Sequence, residues 1–156
     1  MQREKQRPAS GMAAPGTAGY SGTPLARKLG LAHGQAAALL GVPETIDDIN
    51  GFGDFASVVR VLPETLLRAF DYIHLFVTER RVLEATAPTL CRVLKTDGMI
   101  WISWPKKSSR VPTDITEDVL RKILLPNGLV DIKVCAVDGT WSGLKFVIRK
   151  ELRGAM

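Results

Sequence analysis

The stretch of residues 70–107, FDYIHLFVTERRVLEATAPTLCRVLKTDGMIWISWPKK, decides the fold. Residues 70–77 are strongly apolar and predict a buried strand. Residues 79–95 carry apolar side chains at helical spacing and predict a helix that covers this strand. After a predicted turn at residues 96–98, the apolar run 99–104 predicts a second buried strand. The stretch is therefore one βαβ unit with parallel strands.

Other segments extend the sheet of this unit on both sides. Upstream, the apolar run 35–40 and the β-rich run 55–62 predict two further strands. Downstream, residues 129–137 and 141–150 predict two strands joined by a tight turn, because Asp-Gly between two β-rich runs is typical of a hairpin. We expect an α/β sandwich of three layers, with a mostly parallel sheet of about six strands that ends in an antiparallel hairpin.

Polar residues and prolines predict where helices begin and bend. Thr23 and Thr78 are expected to cap the helices that follow them, and either Asp114 or Thr116 is expected to cap a third helix. Pro88 lies inside the predicted helix of the βαβ unit, where it would kink or break that helix.

The length of 156 residues fits one domain. We expect a disordered tail at residues 1–19, a single domain at 20–152 and a disordered end at 153–156. No apolar run reaches the ~18 residues of a membrane span, and no export signal or disulfide framework is present, so we expect a bacterial, cytoplasmic protein. Cys91 and Cys135 lie in apolar segments and are expected to be buried, unreactive thiols.

The formal net charge is +5, from 21 Lys and Arg against 16 Asp and Glu. Basic residues cluster in the first residues of the chain, at residues 106–110 and near the C-terminus. This pattern is compatible with a solvated surface, with an anionic ligand or with nucleic acid.

The second half resembles the class I S-adenosylmethionine-dependent methyltransferases, which have a Rossmann-like fold. Residues 70–73, FDYI, resemble a strand that this family writes FDxI, and residues 94–98, LKTDG, resemble its LKPGG turn. A final antiparallel hairpin is also a mark of that family. The resemblance covers residues 70–149, about half of the chain.

The first half departs from this family at its cofactor loop. The family has a GxGxG loop after its first strand and an acidic residue after its second, whereas here Gly41 is followed by Val-Pro and Glu64 lies just beyond the second strand. Glycines permit close approach of the backbone, and Pro43 removes an N–H donor. We therefore expect no cofactor; the alternative is S-adenosylmethionine in an atypical site at Gly41, Asp71 and His74.

A second resemblance covers residues 20–152. The boxes YSGTPLARKLG, FDYIHLFVT, DGMIWISWPKK, VPTDITEDVLR and GLVDIKVCAVDGTWSGLKFVIRKE are together similar to an uncharacterised bacterial family, domain of unknown function 3052. This resemblance implies a fold and no established activity.

Ligands of parallel sheets bind beyond the carboxyl ends of the strands, which selects four loops: 41–44, 74–79, 104–110 and 138–142. The tip of the hairpin qualifies because its first strand is expected to run parallel to the others. The candidate ligand-binding residues are Gly41, Glu44, Asp71, His74, Trp104, Lys106, Lys107, Trp141 and Ser142.

Trp104 and Trp141 are expected on one edge with Lys106 and Lys107. Aromatic faces beside cations can hold a nucleotide base and its phosphate, while the alternative is plain packing beside a solvated loop. His74, inside an apolar strand, is more typical of a satisfied core histidine than of a base. Neither the His and Cys spacing nor the Ser-Gly pairs indicate a metal site or a hydrolase, so no catalytic residue is predicted.

These observations lead to three hypotheses. The first is a non-catalytic methyltransferase-like domain that binds a protein partner or an anionic or nucleotide ligand at the rim. The second is an S-adenosylmethionine-dependent methyltransferase with an atypical cofactor loop. The third is an accessory protein that binds nucleic acid through its basic tail and loop.

Overall fold

The structure is a computed structural model, and it describes residues 24–63 and 65–154. The strands are β1 (Ala36–Leu40), β2 (Ser57–Val59), β3 (Phe70–Phe76), β4 (Leu94–Pro105), β5 (Leu129–Ala136) and β6 (Trp141–Ile148). The helices are α1 (Leu25–Leu29), α2 (Asp47–Asn50), α3 (Arg80–Val93), α4 (Glu117–Leu124) and α5 (Lys150–Arg153). Short 3-10 turns occupy Lys107–Ser109 and Leu125–Asn127.

The strands form one sheet in the order β2-β1-β3-β4-β6-β5. β1 is parallel to both β2 and β3, and β3 is parallel to β4. β6 is antiparallel to both of its neighbours, β4 and β5, so β5 runs in the direction of β4. The predicted α/β fold, with a mostly parallel sheet and a terminal antiparallel hairpin, is confirmed.

The two faces of the sheet are covered unequally. On one face, buried leucines of α3 and α4, such as Leu90 and Leu120, pack in the same core as Ile100 of β4. On the other face, the short helices α1 and α2 contribute Leu29 and Ile49 to a second core. The indole Nε1 of Trp101 donates a 2.8 Å hydrogen bond to the carbonyl of Leu29, which fixes α1 on the sheet because a buried indole N–H needs an acceptor.

The turn predicted at residues 96–98 is wrong. β4 begins at Leu94, directly after α3, and Phe70 of β3 pairs with Leu94 while Tyr72 pairs with Met99. Between these two pairs β4 has more residues than β3, so the pairing of the two strands is irregular there. A Cβ at Gly98 would lie 3.0 Å from the carbonyl oxygens of β3, so glycine is required here by close packing and not by a turn.

The helix break predicted at Pro88 and the helix cap predicted at Thr78 are wrong. Pro88 lies exposed within α3, and the helix continues past it to Val93. Thr78 does not cap α3; the N-cap residue is Glu79 without a side-chain bond, and the amide of Arg80 donates instead to the carboxylate of Asp114 at 2.6 Å. Thr23 lies outside the described residues.

Among the described residues, no helix is both long and apolar enough to cross a membrane.

Candidate functional site

The end of β1 is the point at which the winding of the sheet changes direction. β1 and β3 are neighbours in the sheet. The chain leaves β1 toward one side of the sheet, to β2, and leaves β3 toward the other side, to β4. Ligands of open α/β sheets bind in the crevice beyond the strand ends at such a point. The segments at this point are residues 41–46, after β1, and residues 77–79, after β3. We define these two segments as the switch-point loops.

Gly41 has the backbone geometry that a close approach requires. It follows the last residue of β1 with φ +71°, in the left-handed region that favours glycine. A Cβ at Gly41 would lie 3.0 Å from the carbonyl oxygen of Phe76, the last residue of β3. Glycine is therefore required here by the close packing of the two strand ends, and it leaves the exposed backbone of this loop without a side chain.

The remainder of the first switch-point loop is held by side chains. Asn50, at the end of α2, donates from Nδ2 to the carbonyl of Pro43 at 2.9 Å. Arg60, just after β2, donates to Oδ1 of Asn50 at 2.8 Å. Glu44 is exposed in the same loop. A guanidinium and a carboxylate thus lie on the segments that follow β2 and β1.

The second switch-point loop is fixed by the segment before α4. The amide of Val77 donates to the carbonyl of Ser103 at 3.0 Å, and Thr113 Oγ1 donates to the carbonyl of Thr78 at 2.7 Å. Together with the bond from Arg80 to Asp114, these contacts hold the loop after β3 in place.

The structure places the two predicted tryptophans on one edge but on opposite faces. Trp104 pairs with Ser142, and Pro105 pairs with Trp141. Successive residues of a strand point to opposite faces. Trp104 is in the core beneath α3 and α4, while Trp141 packs on Phe76 on the other face, with ring centroids 5.1 Å apart. One ligand cannot lie between both indoles.

A cavity of about 570 Å³ opens beside Trp104 on the face of α4. Arg121 lies in its wall and bonds to three carboxylates, those of Asp131, Glu117 and Asp118, and hydrogen bonding to Asp131 is the main cause that raises its pKa. The lining residues are Trp104, Pro105, Lys107, Thr113, Ile115, Thr116, Glu117, Asp118 and Arg121.

The two neighbouring lysines have different surroundings. Lys107 lines the cavity on the α4 face. The amide of Lys106 instead donates to the carbonyl of Thr140 at 2.8 Å, which ties Lys106 to the tip of the β5–β6 hairpin.

Asp71 and Gly41 lie at opposite ends of the strands. Its Oδ2 accepts from the amide of Ala36, the first residue of β1, at 2.8 Å, and its Oδ1 lies 3.2 Å from Nζ of Lys95. Gly41 follows the far end of β1, roughly 16 Å away for a five-residue strand. The site expected from Gly41, Asp71 and His74 together is therefore not formed, and Asp71 holds the start of β1.

His74 is fully buried in the centre of the sheet. Its Nδ1 lies 2.9 Å from the Tyr72 hydroxyl, and its Nε2 lies 2.7 Å from Oγ of Ser103. Its ring stacks on Phe76 with centroids 4.5 Å apart. Burial lowers the pKa of His74 to about 3, so the ring is neutral and out of reach of a ligand. The alternation of Tyr72, His74 and Phe76 on one strand face was the available signal for this cluster.

The cysteines are free thiols, and burial raises the pKa of Cys91 to about 11. Within residues 24–63 and 65–154, no group of three or more His, Cys, Asp or Glu side chains could hold a metal ion.

The fold is similar to that of solved methyltransferases. A SAM-dependent methyltransferase from Aquifex aeolicus aligns with a TM-score of 0.57 and 18% identity over 78% of this chain and 86% of that chain. Magnesium protoporphyrin IX methyltransferase from Synechocystis, solved with bound SAM, aligns with a TM-score of 0.52 and 13% identity over 80% of this chain and 74% of that chain. A TehB-like SAM-dependent methyltransferase from Corynebacterium glutamicum aligns with a TM-score of 0.50 and 16% identity over 85% of this chain and 91% of that chain.

The chain has a methyltransferase fold. This confirms the fold that was inferred from residues 70–149. No protein-family model matches the chain, and no curated protein matches it in sequence. The resemblance to domain of unknown function 3052 therefore stays a prediction.

Proposed function

We propose that this methyltransferase-fold domain binds S-adenosylmethionine at the switch-point loops and transfers its methyl group. Gly41 carries the proposal, because its left-handed and exposed backbone has no side chain directly beside the end of β3, where a cofactor can approach closely. Neighbours of the same fold are SAM-dependent methyltransferases. We place Gly41, Glu44 and the backbone of residues 77–78 around the cofactor. This assignment replaces the expectation of no cofactor.

When bound, S-adenosylmethionine supplies an electrophilic methyl group carried on a sulfonium. The role of the chain in this proposal is to bind and orient it. Trp141 and Phe76 bring an apolar, aromatic surface to the β3 end of the crevice, which suits the adenine or the methylthio part of the cofactor. A cytoplasmic location belongs to the same proposal.

The first test is calorimetric titration of cofactor-stripped protein with S-adenosylmethionine and S-adenosylhomocysteine. We expect both to bind, and Gly41→Ala to weaken binding at least about tenfold, a loss of roughly 1.4 kcal/mol. Gly53→Ala is the matched control, because a Cβ at Gly53 meets nothing within 4 Å. Circular dichroism checks that each variant is folded. Folded wild-type protein that binds neither compound contradicts the proposal, as does Gly41→Ala with unchanged affinity.

A second candidate function is a non-catalytic module that binds an anionic or nucleotide ligand. Two observations favour it: Arg60 lies after β2, where methyltransferases have an acidic residue, and Lys107 lines a cavity beside Trp104. Titration with ATP distinguishes this candidate from the first. Binding of ATP that Lys107→Ala weakens, with no binding of S-adenosylmethionine, would favour the module; the reverse pattern would exclude it.

A further inference from the structure

Two lysines face each other directly on the β5–β6 hairpin. Lys133 and Lys145 are cross-strand partners, and Lys145 is also paired in register with Trp101 of β4. All three residues therefore lie on the α1 face of the sheet. Like charges directly opposite on two strands are destabilising. Burial and the charge of Lys133 both lower the pKa of Lys145.

Two more lysines approach the same area from other elements. Lys28 precedes Leu29 on α1, whose carbonyl is bonded to the Trp101 indole. Burial raises the pKa of the neighbouring Cys135 thiol, while the charges of Lys28, Lys133 and Lys106 act in the opposite direction. Lys106 reaches the area from the end of β4, where its amide donates to the carbonyl of Thr140 at the hairpin tip. We define Lys28, Lys106, Lys133 and Lys145 as the lysine face.

No carboxylate among the described residues forms an ion pair with a member of the lysine face. On β5, Asp131 instead accepts from Arg121 of α4 on the opposite face. At the hairpin tip, Asp138 accepts from the amides of Thr140 and Trp141. Within residues 24–63 and 65–154, the charge of the lysine face is therefore not neutralised by an ion pair.

The first residues of the chain do not complement this face either. Arg3, Lys5 and Arg7 are opposed there only by Glu4, and no further acidic residue occurs before Glu44. The lysine face thus keeps a positive charge that can attract an anionic partner.

We propose that the lysine face binds the phosphate backbone of single-stranded nucleic acid, with Trp141 as a stacking surface for a base. The face extends over α1, the end of β4 and both strands of the hairpin, which is more than one phosphate can contact. Trp141 is half-buried on the same sheet face and near Lys106. A basic surface next to an aromatic ring is the general means of binding single strands. Trp141 also borders the proposed cofactor site, so binding is measured without S-adenosylmethionine; the lysine face itself does not depend on cofactor binding.

The test is fluorescence anisotropy with labelled 12-nucleotide single strands of RNA and DNA, and with the duplex, from 50 to 300 mM KCl. We expect the single strands to bind more tightly than the duplex. The double variant Lys133→Ala/Lys145→Ala should weaken binding and flatten the plot of log K against log salt by about 1.4, twice the ~0.7 per neutralised phosphate. Trp141→Ala should weaken binding without changing this slope.

Lys122→Ala/Lys150→Ala removes the same charge from exposed helix positions and is the matched control. The proposal is overturned if this control lowers affinity and slope as much as the hairpin variant, or if the hairpin variant binds like the wild type. It is also overturned if polyglutamate displaces the single strand at equal charge concentration, since the partner would then be an acidic protein. Thermal unfolding checks that the hairpin variant is folded, and removal of the like-charge pair should not lower its melting temperature.

Discussion

At the scale of single residues, the informative group is the buried cluster of Tyr72, His74 and Ser103. Each of the two hydroxyls lies within 2.9 Å of one ring nitrogen of His74. The sequence indicated that His74 is a core residue, because it lies in an apolar strand. It did not indicate Ser103 as a partner, since that residue lies 29 positions away and meets His74 only through the β3–β4 pairing.

Removal of the Ser103 hydroxyl should leave a ring nitrogen of His74 buried without a partner. We expect Ser103→Ala to lower the free energy of unfolding by about 1–3 kcal/mol. Ser108→Ala, at an exposed position, should change it by less than about 0.5 kcal/mol. Urea denaturation measures both. Equal stability of the two variants would show that the hydrogen bond between Ser103 and His74 makes no net contribution to the free energy of unfolding.

The lowered pKa of His74 predicts acid sensitivity. Above pH 6.5 the ring is neutral in both states, and its contribution is constant. Between pH 6.5 and about 3, the unfolded chain binds a proton that the folded chain excludes, so stability falls as the pH falls. The expected slope from this residue is about 1.4 kcal/mol per pH unit.

Urea denaturation at a series of pH values measures this slope in wild type, in His74→Gln and in His33→Gln. The His74 variant should lose the slope whatever its absolute stability, and the variant of exposed His33 should keep it. A His74→Gln protein with the slope of the wild type would refute the assignment.

At the scale of elements, the sequence predicted most strands but fewer helix boundaries. Apolar runs located β1, β3 and the terminal hairpin, because burial of these strands leaves a clear pattern. The start of α3 was predicted with the wrong cap. The amide of Arg80 donates to Asp114, and because these residues are 34 positions apart, no local sequence pattern indicates the contact. The early start of β4 was missed for the same reason, since it depends on pairing between Phe70 and Leu94.

The start of α4 provides a test at this scale, because one of its two expected caps is formed. Thr116 Oγ1 accepts from the amide of Val119 at 3.2 Å. We expect Thr116→Ala to cost about 1 kcal/mol of stability, while Thr116→Ser keeps the acceptor and most of the stability. Hydrogen exchange at Val119 should be faster in the alanine variant alone. Equal exchange in the two variants would rule out the cap.

At the scale of the whole molecule, the mostly parallel sheet with its terminal antiparallel hairpin was predictable, and the site only in part. Gly41, Glu44, Lys106, Trp141 and Ser142 lie at or next to the expected edge, as the rule for strand ends requires. The sequence could not show on which face of the sheet each of these side chains lies, because that depends on the register between neighbouring strands. Trp104 therefore lines the α4 cavity, Trp141 packs on Phe76 on the other face, and Asp71 lies at the far end of the strands.

The central claim is that the switch-point loops bind S-adenosylmethionine. The most direct measurement is the amide NMR spectrum of the labelled protein during titration with S-adenosylhomocysteine. We expect the amide signals of Gly41, Glu44 and Thr78 to shift first and to saturate together, while those of Lys107 and Glu117 in the α4 cavity do not shift. A titration without shifts, or with shifts confined to the α4 cavity, would contradict it.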